Sequence, residues 1–286
     1  MDFYIKDLQT YSEMLAVRQL QQEIWGFGDP GMGVYPPVLN TAAKNGGVVL
    51  GAFESGTDRM VGFLFGFLGR EPGGPLKLCS QAMGVLPEWR GRGVGEALKW
   101  AQRERVLQQD LPLITWTFDP LESPNAYLNL HKLGAVARRY WRDIYGSDFG
   151  QLNAGLPTDR LLAEWWIKGP RVSKRNSRPG IVPSAAAPVF EVKGHAGDLR
   201  IVGTNLCLEN DLLSVEIPPN IHAVKQTSLD LAMEWRLQVR QVFETCFSAG
   251  FIAIDFLSDV RNGARRSRYL LAKLTPALAE EIGLDR

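Results

Sequence analysis

Cysteine and histidine are scarce in this chain of 286 residues, which has three of each. The three cysteines, Cys79, Cys207 and Cys246, lie far apart, and no two of them form a Cys-x-x-Cys pair. Zinc sites and disulfide frameworks need clustered or regularly paired cysteines. The sequence therefore predicts no metal site and no disulfide framework. It fits a reducing compartment, which we expect to be the cytoplasm.

An excess of charge and a long apolar run are also missing. The chain has 32 basic and 31 acidic side chains, a net charge of +1. This balance gives no reason to expect nucleic acid or acidic lipid as a partner. The most apolar segment, 61–68, is far too short to span a bilayer and predicts a buried strand. The first residues do not have the basic and then apolar pattern of a signal peptide, so we expect none.

What the chain does have is a glycine-rich segment over residues 85–99. Three glycines occur there within five residues: Gly91, Gly93 and Gly95. Glycine accepts positive φ angles and lets the backbone approach a ligand closely. The residues that follow have helical spacing, and the N–H groups at the start of a helix attract anions. With Arg90 and Arg92 beside it, this turn predicts a site for a diphosphate.

Two known phosphate-binding loops fit this segment poorly. A Walker A loop ends in Gly-Lys-Ser/Thr, whereas Gly95 is followed by Glu96 and Ala97. A Rossmann fingerprint needs a third glycine where Glu96 stands. Neither a P-loop nucleotidase nor a Rossmann dehydrogenase is therefore indicated.

The spacing Arg90-x-x-Gly93-x-Gly95 after Val85-x-Pro87 resembles the acetyl-coenzyme A signature of the GNAT N-acetyltransferase superfamily. The resemblance covers roughly residues 3–168. It implies an α/β fold with a mixed, twisted sheet flanked by helices, and acetyl-coenzyme A as co-substrate. It also implies direct attack of an acceptor amine on the thioester, without a nucleophilic cysteine.

The same resemblance implies which residues hold the coenzyme. They lie at the end of the strand before the turn, in the turn itself and at the start of a later helix. These residues are Met83, Gly84, Val85, Arg90, Gly91, Arg92, Gly93, Val94, Gly95 and Asn125.

The sequence departs from the superfamily pattern at the position of the general acid. The superfamily places a tyrosine four residues before the glycine that closes the helix predicted at 122–132. Counting back from Gly134 gives Leu130, which cannot donate a proton. Tyr127 lies one turn earlier. Either Tyr127 acts as the acid, or water does, or the usual step is not catalysed. We expect His131 to be a surface histidine at the helix end.

The candidates for the general base are carboxylates: Glu23, Glu54, Asp119 and Glu122. Asp119 is the first choice, because it follows the strand predicted at 113–118, which should flank the site. The alternative is structural, since aspartate before proline commonly ends a strand.

The apolar pattern predicts strands at 3–5, 48–53, 60–68, 76–86, 113–118, 136–145 and 161–167. A capping box, Thr10-x-x-Glu13, opens a helix that Gly26 ends. Residues 26–37 are predicted to form a loop, which either lines the acceptor-substrate site or is an ordinary surface loop. The helix after Gly93 is predicted to bury one stripe and to expose Lys99 and Gln102.

The domain prediction is a GNAT-like domain at 1–168, a solvated basic linker at 169–184 and a smaller α+β domain at 185–286. The last contains predicted strands at 199–202, 212–217, 251–257 and 269–274, and a helix from Thr227 to Gly250. Its arginines, Arg265, Arg266 and Arg268, are expected in a hairpin loop at 261–268.

The order helix, glycine, strand, strand occurs in both halves, so the second half could be a degenerate GNAT-like half. It has no glycine-rich turn, and we expect it to shape the substrate site or to form a homodimer.

The sequence thus predicts an acyltransferase that moves an acetyl or short acyl group to a small-molecule or peptide amine. The alternative is a non-catalytic module that binds or senses coenzyme A and recruits a partner. A third interpretation is a coenzyme A enzyme with a non-amine acceptor.

Overall fold

The structure is a computed structural model that describes residues 2–26, 33–146, 155–174, 185–194, 196–261 and 263–284. The chain forms two compact units, Met1–Trp116 and Thr117–Arg286. This division falls within the strand Leu113–Phe118. The division at residue 168 rests on the resemblance and stays a prediction, and most of the predicted linker, 175–184, lies outside the described residues.

The first unit is built on antiparallel strands that follow one another along the chain. Its sheet has the order β1-β2-β3-β4-β5, and only β4 and β5 run parallel. The strands are β1 (Phe3–Asp7), β2 (Val48–Glu54), β3 (Met60–Arg70), β4 (Leu76–Val85) and β5 (Leu113–Phe118). The helices are α1 (Tyr11–Trp25), α2 (Pro36–Lys44) and α3 (Val94–Gln108).

The predicted start and end of α1 are confirmed. The Thr10 side chain accepts from the Glu13 amide, and the Glu13 carboxylate accepts from the Thr10 amide, which completes the capping box. Gly26 closes the helix in the left-handed conformation at φ 61°. The helix α2 was not predicted. It begins at Pro36 inside the predicted loop, because proline fits the first helical positions, where no N–H partner is needed.

Two features of β4 open the sheet near the turn. Phe65 pairs with Ala82 and Gly66 pairs with Ser80, so β4 has one extra residue, Gln81, in a bulge. The parallel pairing of β4 with β5 consists of Leu78–Ile114 and Cys79–Thr115. Both strands are fully described, and they form no backbone pairs beyond these two. From Ser80 onward, the edge of β4 that faces away from β3 has no backbone partner on β5.

The second unit has a sheet of the order β7-β6-β12-β13-β11-β8 and a separate β9–β10 pair. Its strands are β6 (Val136–Trp141), β7 (Arg160–Trp166), β8 (Ala187–Pro188), β9 (Phe190–Lys193), β10 (Arg200–Thr204), β11 (Leu212–Ile217), β12 (Phe251–Arg261) and β13 (Ala264–Lys273). Its helices are α4 (Ser123–Ala126), which continues as a π-helical turn (Tyr127–Lys132), α5 (Pro170–Ser173), α6 (Ile221–Thr227), α7 (Leu229–Ser248) and α8 (Pro276–Ile282).

A helix, a left-handed glycine and a hairpin occur twice in this unit. Gly134 at φ 77° precedes β6 and β7, and Gly250 at φ 81° precedes β12 and β13. The inner strands of the two hairpins are neighbours, paired antiparallel at Ala137 and Ala253. The arrangement is compatible with a degenerate second half, which stays a prediction.

The prediction of a loop at 261–268 is wrong. The strand β12 reaches Arg261 and β13 begins at Ala264, and charged side chains of this region have partners along the sheet. Arg268 lies 2.9 Å from Asp259, and Arg266 lies 3.1 Å from Glu216. Only Arg265 stays near the hairpin tip, where it donates to Ser258.

Two further predictions on this half are corrected. The long helix begins at Leu229 with Ser228 as its cap, one residue after the predicted Thr227, and α6 before it was not predicted. The start of the predicted linker is not solvated, because Arg171 is buried and pairs with Glu281 at 2.9 Å.

Candidate functional site

The glycine turn connects the end of β4 with the start of α3. Gly91 and Gly93 have φ angles of 75° and 84°, in the left-handed region. A Cβ atom at either position would meet no atom within 4 Å. Backbone conformation, and not lack of room, is therefore what requires glycine here.

The start of α3 differs from the starts of most other long helices of the chain. Its N-cap is Gly93, and no side chain caps it. By contrast, Thr10 caps α1 and Ser228 caps α7 with a side-chain oxygen. The start of α3 thus has no side-chain cap from Gly93, and together with the helix dipole it can bind an anion.

Arginine side chains are held in place on this turn. The Nε atom of Arg90 donates to the carbonyl of Val85 at 3.3 Å. The guanidinium of Arg92 lies 4.9 Å from the ring centre of Trp89, which is buried. The nearby Glu88 pairs with Arg59 at 3.3 Å. The turn therefore has positive charge beside the start of α3.

The two faces of the end of β4 have different neighbours. A Cβ at Gly95 would lie 3.5 Å from Met83 Cε and 3.9 Å from Val85 Cγ2, so both side chains lie beneath the start of α3. Gly84 faces the other side, where a Cβ would come within 2.8 Å of Ile24 and Phe63. The glycine at position 84 makes room for these two side chains.

A buried polar trio lies deeper under α3. Lys99 Nζ is 2.8 Å from Ser80 Oγ and 3.3 Å from Gln102 Oε1. The prediction that Lys99 and Gln102 are exposed is wrong, since they are 2% and 0% exposed. Helical spacing places both near the edge of the apolar stripe, and no sequence pattern indicates that β4 supplies a polar partner.

Asp119, in the second unit, is held by arginines. Its carboxylate accepts from Arg236 at 2.9 and 2.6 Å, and from the Leu121 amide at 2.8 Å. Arg160 lies 3.5 Å away. Burial disfavours the charged form of Arg236, but Asp119 outweighs it, and the pKa of Arg236 is raised. A carboxylate with these bonds is poorly placed to take a proton from a substrate.

A second buried carboxylate has the same kind of partner. Asp159 accepts from Arg240 at 2.8 Å through both oxygens, and from Tyr140 at 2.7 Å. Burial, followed by the charge of Asp159, raises the pKa of Tyr140. Arg236 and Arg240 lie one turn apart on α7, so a single helix face serves both aspartates. Sequence reasoning missed this face, although the four-residue spacing was visible.

Tyr127 and His131 lie on the π-helical turn. Their rings stack with centres 4.7 Å apart, and His131 Nδ1 lies 3.0 Å from Asp255. The His131 side chain is 44% exposed, as expected of a surface histidine. Leu130 is fully buried, and Asn125 is exposed on α4.

The remaining base candidates also have partners. Glu122 lies 2.7 Å from His222, and Glu23 lies 3.8 Å from Arg59. Glu54 accepts from Thr57 at 2.6 Å. Within the described residues, no group of histidines, cysteines and carboxylates could hold a metal ion. No described helix is long and apolar enough to cross a membrane.

The pair of Glu122 and His222 predicts a pH-dependent stability. The hydrogen bond to Glu122 raises the pKa of His222 above its usual value. The stabilisation of the folded state by this pair is therefore complete below the unfolded pKa of about 6.5. It is lost as the pH rises through the pKa of the folded state. Thermal unfolding should show His222→Gln less stable than the wild type near pH 5.5, with a smaller difference near pH 8.5. A difference that is independent of pH would contradict this.

No protein-family model matches the sequence, and no curated protein matches it. Solved structures are similar to its N-terminal part. The ribosomal-protein-S18-alanine N-acetyltransferase of Escherichia coli is 14% identical, over 57% of this chain and 92% of its own, with a TM-score of 0.44. The ribosomal-protein-S5-alanine acetyltransferase of Vibrio fischeri is 13% identical, over 57% and 92%, with a TM-score of 0.44. Arabidopsis thaliana NAA60, solved with acetyl-CoA, is 12% identical, over 58% and 99%, with a TM-score of 0.46.

Two of these are acetyltransferases by name. The chain itself has a mixed α/β architecture. None of these comparisons covers the whole chain.

Proposed function

We propose that the chain is a GNAT-type acyltransferase that moves an acetyl or short acyl group from acyl-coenzyme A to an amine. One observation carries the proposal. The uncapped start of α3 follows two left-handed glycines, has two arginines beside it, and lies above Met83 and Val85. This arrangement suits a diphosphate with an extended arm that runs along β4.

In this proposal the coenzyme is held mainly by backbone groups. The amides from Gly91 to Gly95 bind the diphosphate, and Arg90 and Arg92 add charge. The edge of β4 beyond its last pair with β5 leaves backbone groups of Met83, Gly84 and Val85 for the pantetheine amides. Val94 contributes through its amide, and Asn125 is proposed as a further contact.

The chemistry needs a neutral amine at the thioester carbonyl. A C–N bond forms, the C–S bond breaks, and the thiolate receives a proton. Tyr127 stays the proposed donor, since Leu130 has no proton to give. We do not assign Asp119 as the base, because Arg236 and Arg160 already compensate its charge. Water is the simplest acceptor of the amine proton.

Calorimetric titration with acetyl-coenzyme A tests the binding, and free-thiol release with a panel of amines and short peptides tests the transfer. Saturable binding with acceptor-dependent thiol release is expected. Buried Leu130 favours one alternative, a module that binds or senses coenzyme A without turnover. Binding without thiol release for any acceptor would support the module, and no binding at millimolar concentration would refute both.

A further inference from the structure

The buried trio of Ser80, Lys99 and Gln102 has the geometry of a nucleophile with its base. Lys99 Nζ lies 2.8 Å from Ser80 Oγ. Gln102 orients both, since its Nε2 donates to Ser80 at 3.1 Å and its Oε1 accepts from Lys99 at 3.3 Å. The exposed fractions are 7% for Ser80, 2% for Lys99 and 0% for Gln102.

No carboxylate compensates Lys99 in the described part of the chain. Its other neighbour is the Trp116 ring, 3.7 Å from Nζ. A buried ammonium without a counter-ion is unfavourable, and burial lowers the pKa of Lys99 well below its usual value. Burial therefore makes the neutral amine easier to form, and a neutral lysine amine can accept a proton from a hydroxyl group, as it does in Ser–Lys pairs.

The trio lies on the face of β4 that the proposed coenzyme would follow. Met83 and Val85 face the start of α3, and Ser80 faces Lys99 one turn further along the same helix. Ser80 is also the first residue of β4 beyond its last pair with β5, beside the bulge at Gln81. It lies five residues before Val85, or roughly 16 Å along a strand. An extended pantetheine arm that starts at the turn runs toward Ser80.

We propose that Ser80 accepts the acyl group from acyl-coenzyme A, with Lys99 as its proton acceptor and donor, so that the chain also hydrolyses acyl-coenzyme A. This rests on the proposed binding of the coenzyme at the turn. The bond from Ser80 Oγ to the acyl carbon forms, and the C–S bond breaks. The hydroxyl proton moves to Lys99 Nζ and then to the coenzyme thiolate. Water then attacks the ester, and it releases a carboxylic acid and restores Ser80.

Acylation of Ser80 has its own proton donor, separate from the Tyr127 proposed for transfer to the amine. The Lys99 ammonium formed during the attack protonates the departing thiolate without any other side chain.

The test is a rapid-quench reaction of the full chain with acetyl-coenzyme A and no amine, followed by intact-mass measurement and peptide mapping. One acetyl group on Ser80 is expected, together with a burst of free thiol. Ser80→Ala should carry no acetyl group, and Ser80→Cys should regain it as a thioester. Lys99→Met, of similar length, should slow acylation by about 100-fold or more, the usual effect of a general base.

Thr115→Val is the matched control, since Thr115 is a buried polar residue of β5 outside the trio. It should acylate like the wild type. Calorimetry with acetyl-coenzyme A is run on every variant. Two results would overturn the acyl-serine proposal and leave the proposed function intact. One is that the wild type binds acetyl-coenzyme A but carries no acetyl group on Ser80. The other is that Ser80→Ala releases thiol as fast as the wild type does. Absence of binding in the wild type overturns both. The intact mass of the wild-type protein after the reaction tests the acyl-serine proposal even if a variant fails to fold.

Discussion

Replacing Asp119 with alanine is expected to destabilise the protein by about 3–5 kcal/mol, because it leaves the buried Arg236 without its counter-ion. Arg236 is 2% exposed, and both of its terminal nitrogens donate to Asp119. Its Nε atom has no hydrogen-bond partner among the described residues. Urea unfolding followed by tryptophan fluorescence measures the change in unfolding free energy. This role differs from that of a general base, whose loss would lower turnover and leave stability nearly unchanged.

Two variants show whether the ion pair itself is responsible. Asp119→Leu combined with Arg236→Met removes both charges and should recover most of the lost stability. Glu244→Gln, also on α7, removes the half-buried partner of the exposed Arg142 and should change stability by no more than about 1 kcal/mol. An Asp119→Ala protein as stable as the Glu244→Gln protein would contradict the prediction.

Replacing Gly95 with aspartate should strongly weaken coenzyme binding and preserve the fold. A Cβ at this position makes only ordinary contacts, the nearest at 3.5 Å, and the backbone is helical. A carboxylate in the first turn favours the helix dipole, so stability should be equal or slightly higher. The same carboxylate repels a diphosphate. Two like charges 4 Å apart near a protein surface repel by up to about 4 kcal/mol, so we expect calorimetry to show binding at least about 100-fold weaker.

Gly95→Ala is the matched control, since it adds the Cβ without the charge. It should bind acetyl-coenzyme A within about threefold of the wild type, the effect of well under 1 kcal/mol. If the aspartate variant binds as tightly as the alanine variant, the start of α3 does not hold the diphosphate. If both lose binding while both remain folded, added bulk at Gly95 is responsible and charge is not.

The parts of the fold that were predictable depend on neighbours in sequence. The capping box at Thr10, the left-handed glycine at 26 and the strand over residues 113–118 follow from local spacing, and the structure has all three. The glycine turn was predictable for the same reason. Its φ angles and its free amides are properties of a few consecutive residues.

The parts that were missed depend on partners far away in sequence. The extension of β12 and β13 across the predicted loop is stabilised by pairs such as Arg268 with Asp259, which alternation of charge does not reveal. The partner of Asp119 lies 117 residues further along the chain. Lys99 is buried because Ser80 and Gln102 satisfy its amine, and a hydropathy pattern places lysine at the surface.

The π-helical turn at Tyr127–Lys132 has a consequence for comparing this chain with others. A π turn contains one residue more than an α turn, so the phase of the side chains slips within this segment. Deleting a single residue there would rotate the preceding side chains by about 100° and separate Tyr127 from His131. Counting four positions back from Gly134 therefore identifies a different helix face here than in a regular helix. Residues of this segment are matched to other chains by superposition and not by counting.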